Sequence, residues 1–139
     1  MSKIIISSHH NLALGLKDTL SYILPSFKDV IAIPAYVDER KLEDLVNDAL
    51  ENIDKDEQIF VFTDMLGGSV NQEFAKKIPR ENYYLITGLN LPLLLSVALS
   101  LQNGNLSEQD LKELIEEAKN QIIYVNDYID SLNISEDDE

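Results

Sequence analysis

The stretch Gln58-Ile59-Phe60-Val61-Phe62-Thr63 decides the predicted fold, because it is the strongest strand signal in the chain of 139 residues. A continuous run of β-branched and aromatic residues of this length is typical of a strand buried on both faces. The next residues, Asp64-Met65-Leu66-Gly67-Gly68-Ser69, predict a turn followed by a helix that runs from Ser69 to about Lys77. The centre of the chain is therefore a predicted strand–turn–helix unit.

The same alternation continues toward both ends of the chain. The predicted strands are Lys3–Ser8, Val30–Ile33, Gln58–Thr63 and Tyr83–Thr87. The predicted helices are Leu12–Leu24, Leu42–Leu50, Ser69–Lys77, one from about Pro92, and a long last helix from the N-cap Ser107 to Ile129. Four strand–helix repeats predict an α/β fold, which is a single doubly wound domain with a mostly parallel central sheet and helices on both faces.

Composition and charge limit the classes of partner and site that the protein can have. The chain carries 25 acidic and 11 basic residues, a formal net charge of −14, and no cysteine. The negative charge argues against nucleic acid or an anionic membrane as a partner, and the missing cysteines exclude disulfides and thiolate metal sites. The longest apolar stretch, Leu91–Leu101, falls well short of the roughly 20 residues of a membrane span, and the first residues lack a signal-peptide core. We therefore expect a cytoplasmic protein.

The domain boundaries follow from the last apolar positions. We expect the domain to cover residues 1–130, because the helical apolar pattern ends at Ile129. Residues 131–139 end in Ser135-Glu136-Asp137-Asp138-Glu139, and this acidic run predicts a disordered, solvated tail.

Residues that could carry chemistry follow the predicted strands. The segments just after the four strands are Ser7–Asn11, Pro34–Asp38, Thr63–Ser69 and Gly88–Asn90. Ligands of such sheets bind beyond the carboxyl ends of the strands, where the strand order reverses. If strands one and three are neighbours, His9, Asp64 and the glycine-rich loop meet at one point. A neutral imidazole is a nucleophile near neutral pH, a carboxylate can fix its tautomer, and glycines let backbone N–H groups approach a phosphoryl group.

Simpler explanations stay open for each of these residues. His9 could be a solvated loop residue, Asp64 a turn residue or helix cap, and the glycines a plain turn. His10 is expected to be a bystander, because successive side chains of an extended strand point to opposite sides. We predict no metal site, since adjacent histidines are poorly placed to chelate one ion. A hydrolase built on Ser69 lacks the Gly-x-Ser-x-Gly elbow, and the absence of Gly-Lys-Ser/Thr argues against nucleotide binding.

Three stretches together carry a family resemblance. They are Ile5-Ile6-Ser7-Ser8-His9 with Ala13 and Gly15-Leu16, then Phe62-Thr63-Asp64-Met65-Leu66-Gly67-Gly68-Ser69, then Ile86-Thr87-Gly88-Leu89-Asn90-Leu91-Pro92. In this order and at these separations they resemble the mannose-family IIA domain of bacterial sugar phosphotransferase systems. The resemblance runs from Lys3 to about Ile129. The chain departs from the family pattern at His10, where glycine is frequent, and at Val70, where proline is favoured.

The resemblance implies a phosphocarrier function. It implies that His9 accepts a phosphoryl group from the protein HPr and donates it to a IIB component, which serves sugar uptake by membrane IIC and IID components. It also implies that Asp64 orients His9, that no cofactor is needed, and that the protein is a homodimer. The residues expected to bind phosphate are Leu66, Gly67, Gly68 and Ser69.

Two other functions remain open. One is the phosphocarrier subunit of a dihydroxyacetone kinase, which resembles the same family but passes phosphate to a nucleotide-bearing partner. The other is a non-enzymatic regulatory module that is switched by phosphorylation. The Leu66–Ser69 stretch favours the sugar system, and the chain carries no DNA-binding region, which counts against the regulatory module. The sequence does not determine which sugar is transported.

Overall fold

Four parallel strands form the sheet in a computed structural model that describes residues 2–137. The strands are β1 (Ser2–His9), β2 (Val30–Ala35), β3 (Gln58–Thr63) and β4 (Tyr83–Thr87). The helices are α1 (Leu12–Ile23), α2 (Leu42–Glu51), α3 (Ser69–Ala75), α4 (Leu91–Gln102), α5 (Glu108–Lys119) and α6 (Val125–Asp137). The predicted α/β architecture is confirmed, and the bounds of β3 and β4 agree with the prediction to the residue.

The strand order places the ends of β1 and β3 side by side. The order across the sheet is β2-β1-β3-β4, so the chain first steps from β1 to β2 in one direction and then crosses to β3 on the other side. Ser7 of β1 lies between Ile33 of β2 and Thr63 of β3 in the register. The direction in which successive strands are added to the sheet therefore reverses beside β1. Ligands of such sheets bind at this point of reversal.

The two central strands are fixed by a core on each face of the sheet. The residues on the face covered by α1, α4 and α5 are Ile4, Ile6, Phe60 and Phe62. The residues on the face covered by α2 and α3 are Ile5, Ile59 and Val61. All seven have no exposed surface, and burying each such side chain stabilises the fold by about 1.5–3 kcal/mol. The loops that follow β1 and β3 therefore start from strands whose apolar residues are fully buried.

Strand β2 is longer than predicted. Pro34 predicts an end of the strand at Ile33, but β2 continues through Pro34 to Ala35. β2 is an edge strand, and Pro34 pairs with Ser8 of β1. A proline lacks only the backbone N–H, which an edge strand does not need on its outer side. As a result, the chain leaves β2 at Tyr36, directly beside the end of β1.

The predicted last helix is in fact two helices. Ser107 caps α5 as predicted, because its Oγ accepts the backbone N–H of Asp110 at 3.1 Å. The helix ends at Lys119, however, and α6 begins at Val125. The run of β-branched and aromatic residues from Ile122 to Val125 lies at the break, and such residues lose side-chain freedom in a helix. Their low helix propensity explains the interruption.

The predicted domain boundary at residue 130 falls within the last helix. Residues 131–137 belong to α6, while Asp138 and Glu139 lie outside the described residues. Apolar residues recur at helical spacing at Tyr128, Ile129 and Leu132, which carries the helix past the predicted boundary. Within residues 2–137, no helix is both long enough and apolar enough to cross a membrane.

Candidate functional site

His9 and Asp64 are joined at the carboxyl edge of the sheet. His9 is the last residue of β1, and its Nδ1 lies 2.8 Å from Oδ2 of Asp64. The same Oδ2 accepts the backbone N–H of His9 at 2.8 Å, and Oδ1 accepts the N–H of Met65 at 3.0 Å. The imidazole and the carboxylate, which the sequence brings together only if β1 and β3 are neighbours, therefore do meet.

The protonation of the pair follows from the surroundings of Asp64. Its side chain is only 10% exposed. Burial raises the pKa of Asp64, but the hydrogen bonds donated by the amide and ring of His9 and by the Met65 amide together outweigh it and leave the pKa below its ordinary value. An ionised carboxylate can only accept hydrogen bonds, so the proton of the neutral ring sits on Nδ1. The other nitrogen of His9, Nε2, then carries a lone pair.

Ser69 and the glycine loop lie on the Nε2 side of the ring. Ser69 is the first residue of α3, and its Oγ lies 3.4 Å from Nε2 of His9. Gly68 packs against the imidazole, because a Cβ at this position would lie 3.4 Å from Cε1 of His9. Gly67 has φ of +75°, a conformation that favours glycine, and Gln72 holds it by donating to its carbonyl at 2.8 Å. The loop thus places Gly68 against the ring of His9 and the Ser69 hydroxyl beside Nε2.

Two other predicted segments occupy more peripheral positions. The side chain of Leu66 is 82% exposed. The segment after β4 supports the end of β3, since the N–H of Leu89 donates to the carbonyl of Thr63 at 3.1 Å. Asn90 caps α4 by accepting the Leu93 N–H at 3.0 Å. These hydrogen bonds fix the loop after β4 beside the end of β3.

His10 leaves β1 in a left-handed conformation. Its φ is +56°, its side chain is exposed, and its N–H donates to the carbonyl of Ala35 at 2.8 Å. Strand alternation predicts that the side chain of His10 points away from the site. In the structure a sharp backbone turn, which ties the end of β1 to the end of β2, accounts for its position.

Tyr36 belongs to the site although sequence reasoning did not single it out. Its hydroxyl lies 2.6 Å from Oγ of Ser69, and its ring centroid lies 5.6 Å from that of His9. The one available signal was its place in Pro34–Asp38, a segment after a predicted strand. A single tyrosine in such a loop carries no motif, and its closeness to His9 depends on the strand order.

The site is open and has an apolar rim. The side chain of His9 is 38% exposed. Large apolar residues in the loops that flank it are exposed as well: Tyr36 by 54%, Met65 by 55% and Leu66 by 82%. A histidine side chain that is partly exposed among exposed apolar residues is accessible to a group carried by another protein.

The chain is similar to known proteins along most of its length. The family model EIIA-man, described as the PTS system fructose IIA component, matches residues 3–125. A similar protein is the fructose-specific EIIA component of the phosphotransferase system (PTS) of Bacillus subtilis (strain 168). It is 30% identical over 114 residues, which are 80% of this chain and 77% of that protein.

Solved structures agree with this match. A protein of Klebsiella pneumoniae subsp. pneumoniae MGH 78578, assigned to a phosphoenolpyruvate-dependent sugar PTS permease, superposes with a TM-score of 0.86. It is 32% identical and the match covers 92% of this chain and 93% of that one. The PTS IIA protein associated with the fucose utilization operon of Streptococcus pneumoniae superposes with a TM-score of 0.79 and is 22% identical. The match covers 92% of this chain and 96% of that one. At that identity, the second structure supports the fold alone.

Proposed function

The chain belongs to the mannose family of IIA components of sugar phosphotransferase systems, and from this premise we propose that His9 accepts a phosphoryl group from HPr and passes it to a IIB component. The observation that carries the proposal is the 2.8 Å contact between Nδ1 of His9 and Asp64, which leaves Nε2 as the nucleophile on the exposed side of the ring. Cytoplasmic action follows from the proposed partners.

The transfer forms one bond and breaks another. The lone pair of Nε2 attacks the phosphorus of a phosphohistidine on the donor, while the P–N bond to the donor ring breaks and its electron pair returns to the donor nitrogen. The ring of His9 becomes positively charged, and the Asp64 carboxylate at Nδ1 stabilises that charge. Both reacting groups are protein side chains, so the proposed step needs no cofactor.

The phosphoryl oxygens would bind the groups beside Nε2. The Ser69 hydroxyl is the nearest side-chain donor, at 3.4 Å from Nε2. Backbone N–H groups from Leu66, Gly67 and Gly68 complete the proposed phosphate-binding set, and glycine allows such close approach because it has no side chain. Catalysis of this kind consists mainly of positioning and charge stabilisation.

The direct test compares two neighbouring histidines. Purified chain is incubated with phosphoenolpyruvate, the general phosphotransferase proteins and HPr, and the phosphorylated residue is located by mass spectrometry. We expect His9→Ala to abolish phosphorylation and His10→Ala, the matched control, to leave it largely intact. Phosphate on His10, or full labelling of His9→Ala, would contradict the assignment.

The acceptor distinguishes the sugar system from the kinase alternative. The phosphorylated chain is offered a IIB component in one reaction and the nucleotide-bearing subunit of a dihydroxyacetone kinase in another. We expect phosphate to move to the IIB component, in line with the sugar phosphotransferase relatives. Transfer to the kinase subunit alone would replace this proposal with the kinase one.

We also propose that the chain forms a homodimer through α6. One face of this helix is apolar and about half exposed: Val125 (54%), Tyr128 (53%), Ile129 (49%) and Leu132 (48%). A second copy would cover this face. Analytical ultracentrifugation should find a dimer for the natural chain and a monomer for the double variant Ile129→Glu, Leu132→Glu. Asn126→Glu, beside the apolar face, is the matched control and should remain dimeric, whereas a dimer in the double variant would refute the interface.

A further inference from the structure

Tyr36 reaches into the His9 site from the neighbouring strand. It follows β2 directly, and its hydroxyl lies 2.6 Å from Oγ of Ser69. Its ring is tilted by 40° relative to the imidazole of His9, with 5.6 Å between the ring centroids. Tyr36 therefore contacts both the proposed nucleophile and the hydroxyl proposed to hold the phosphoryl group.

The backbone of Tyr36 is held in an unusual conformation. Its φ is +66°, in the left-handed region that bulky residues rarely adopt. The exits of β1 and β2 are tied together just before it, because the N–H of His10 donates to the carbonyl of Ala35 at 2.8 Å. Such conformations persist where the surrounding structure fixes them. Here the turn aims the tyrosine across the end of β1 toward α3.

The direction of each hydrogen bond in the site follows from Asp64. Its ionised carboxylate only accepts, so Nδ1 of His9 donates and Nε2 of the neutral ring can only accept. Ser69 must then donate to Nε2 when it bonds there. A hydroxyl has a single proton, so Ser69 accepts from Tyr36, which is the donor of the 2.6 Å bond. A phenol is also the stronger acid of the two and hence the better donor.

From this chain of hydrogen bonds we propose that Tyr36 is a positioning residue for phosphoryl transfer, which donates to Ser69 and thereby directs the Ser69 proton toward the phosphoryl group arriving at Nε2. The proposal rests on the proposed phosphorylation of His9. When the N–P bond forms, the lone pair of Nε2 is used and Nε2 can no longer accept a hydrogen bond. The Ser69 hydroxyl then donates its hydrogen bond to a phosphoryl oxygen instead of to Nε2. Tyr36 keeps donating throughout, so Ser69 does not have to reorient toward β2.

The first test removes only the phenolic hydroxyl. Tyr36→Phe keeps the ring against His9, and Tyr22→Phe, which alters a tyrosine of α1 that is 87% exposed, is the matched control. In single-turnover phosphorylation by phospho-HPr, we expect the maximal rate of Tyr36→Phe to fall about fivefold, the effect of one neutral hydrogen bond. The half-saturating HPr concentration should stay unchanged. An unchanged maximal rate, or a change confined to the half-saturating concentration, would overturn the proposal.

The second test asks whether Tyr36 acts through Ser69. If it does, adding Tyr36→Phe to Ser69→Ala should cause no further loss of rate. Independent, multiplying losses in the double variant would show that the tyrosine acts by another route and would refute the positioning role. Equal melting temperatures of the variants and the natural chain would establish that folding is not the cause.

A small-molecule donor separates this proposal from the proposed partner. Phosphoramidate can phosphorylate a histidine without any donor protein, so the same variants are compared with it. Suppose that phosphoramidate phosphorylates the natural chain and HPr does not. A fivefold lower rate of Tyr36→Phe with phosphoramidate would then support the positioning role of Tyr36 and reject HPr as the donor. A chain in which neither donor modifies His9 would reject both proposals.

Discussion

Replacing Asp64 by asparagine tests the electrostatic core of the proposed mechanism. The substitution keeps the size of the side chain but removes its negative charge. Asp64 accepts the amide and ring N–H groups of His9 through Oδ2 and the amide of Met65 through Oδ1. Through its single oxygen, asparagine could keep either the two His9 contacts or the Met65 contact, but it cannot balance the positive charge that forms on the phosphorylated ring.

The size of the effect follows from the geometry. Two unit charges about 4 Å apart attract by about 4 kcal/mol at an effective dielectric constant of about 20. The His9 side chain is 38% exposed, so solvent screening reduces this attraction, and we take ~2 kcal/mol, within the usual range for a charge-assisted hydrogen bond. A loss of ~2 kcal/mol in the transition state slows the reaction about 30-fold. If the amide nitrogen faces Nδ1 instead, the ring proton moves to Nε2 and the loss is larger.

The assay is single-turnover phosphorylation at saturating phospho-HPr, with phosphoramidate as a second donor. Asp56→Asn is the matched control, because Asp56 is exposed and precedes β3 at the opposite edge of the sheet. It should react at the natural rate. If folded Asp64→Asn reacted within about threefold of the natural chain, charge stabilisation at Nδ1 would not drive the step, since even 1.4 kcal/mol corresponds to a factor of ten.

Three further predictions concern stability. His10→Gly should raise the free energy of unfolding by about 0.5 kcal/mol in urea denaturation, because glycine accepts the +56° φ of this position without strain, and a loss of stability would contradict this. Because the folded pKa of Asp64 lies below its ordinary 3.8, its ionised form stabilises the fold above that pH and ceases to do so as the pH falls through the folded value. The stability gap between the natural chain and Asp64→Asn should therefore shrink on going from about pH 5 to about pH 3, and a constant gap would refute the linkage. Tyr83→Phe should cost about 1–2 kcal/mol by urea denaturation without slowing phosphorylation, because the buried Tyr83 hydroxyl, whose pKa burial raises, donates to the carbonyl of Phe74 at 2.7 Å.

Local signals predicted most of the elements. β3 and β4 are bounded by polar and turn residues, and both strands were predicted to the residue. The cap at Ser107 was also predictable, since a capping side chain bonds to a backbone group only three residues away. These features depend on neighbours in the sequence, which is the information that a single sequence holds.

Features that depend on distant parts of the chain were predicted less well. Pro34 predicts an end of β2 at Ile33, and only the edge position of that strand explains why the strand continues. The meeting of His9 with Asp64 could be stated only as a condition on strand order. Tyr36 was missed because its partner Ser69 lies 33 residues away, on another element. Each of these outcomes is set by how the strands are arranged in space.

The arrangement of Asp64 explains why one histidine of the pair occupies the site. A single oxygen, Oδ2, accepts both the backbone N–H and the ring Nδ1 of His9, each at 2.8 Å. The backbone contact fixes the position of His9 along β1, just beyond the last β1–β3 pair at Ser7 and Thr63. The ring contact fixes the imidazole at that position. A histidine one residue later would have to give up both bonds at once, so the register between β1 and β3 selects His9 before any chemistry of the imidazole is considered.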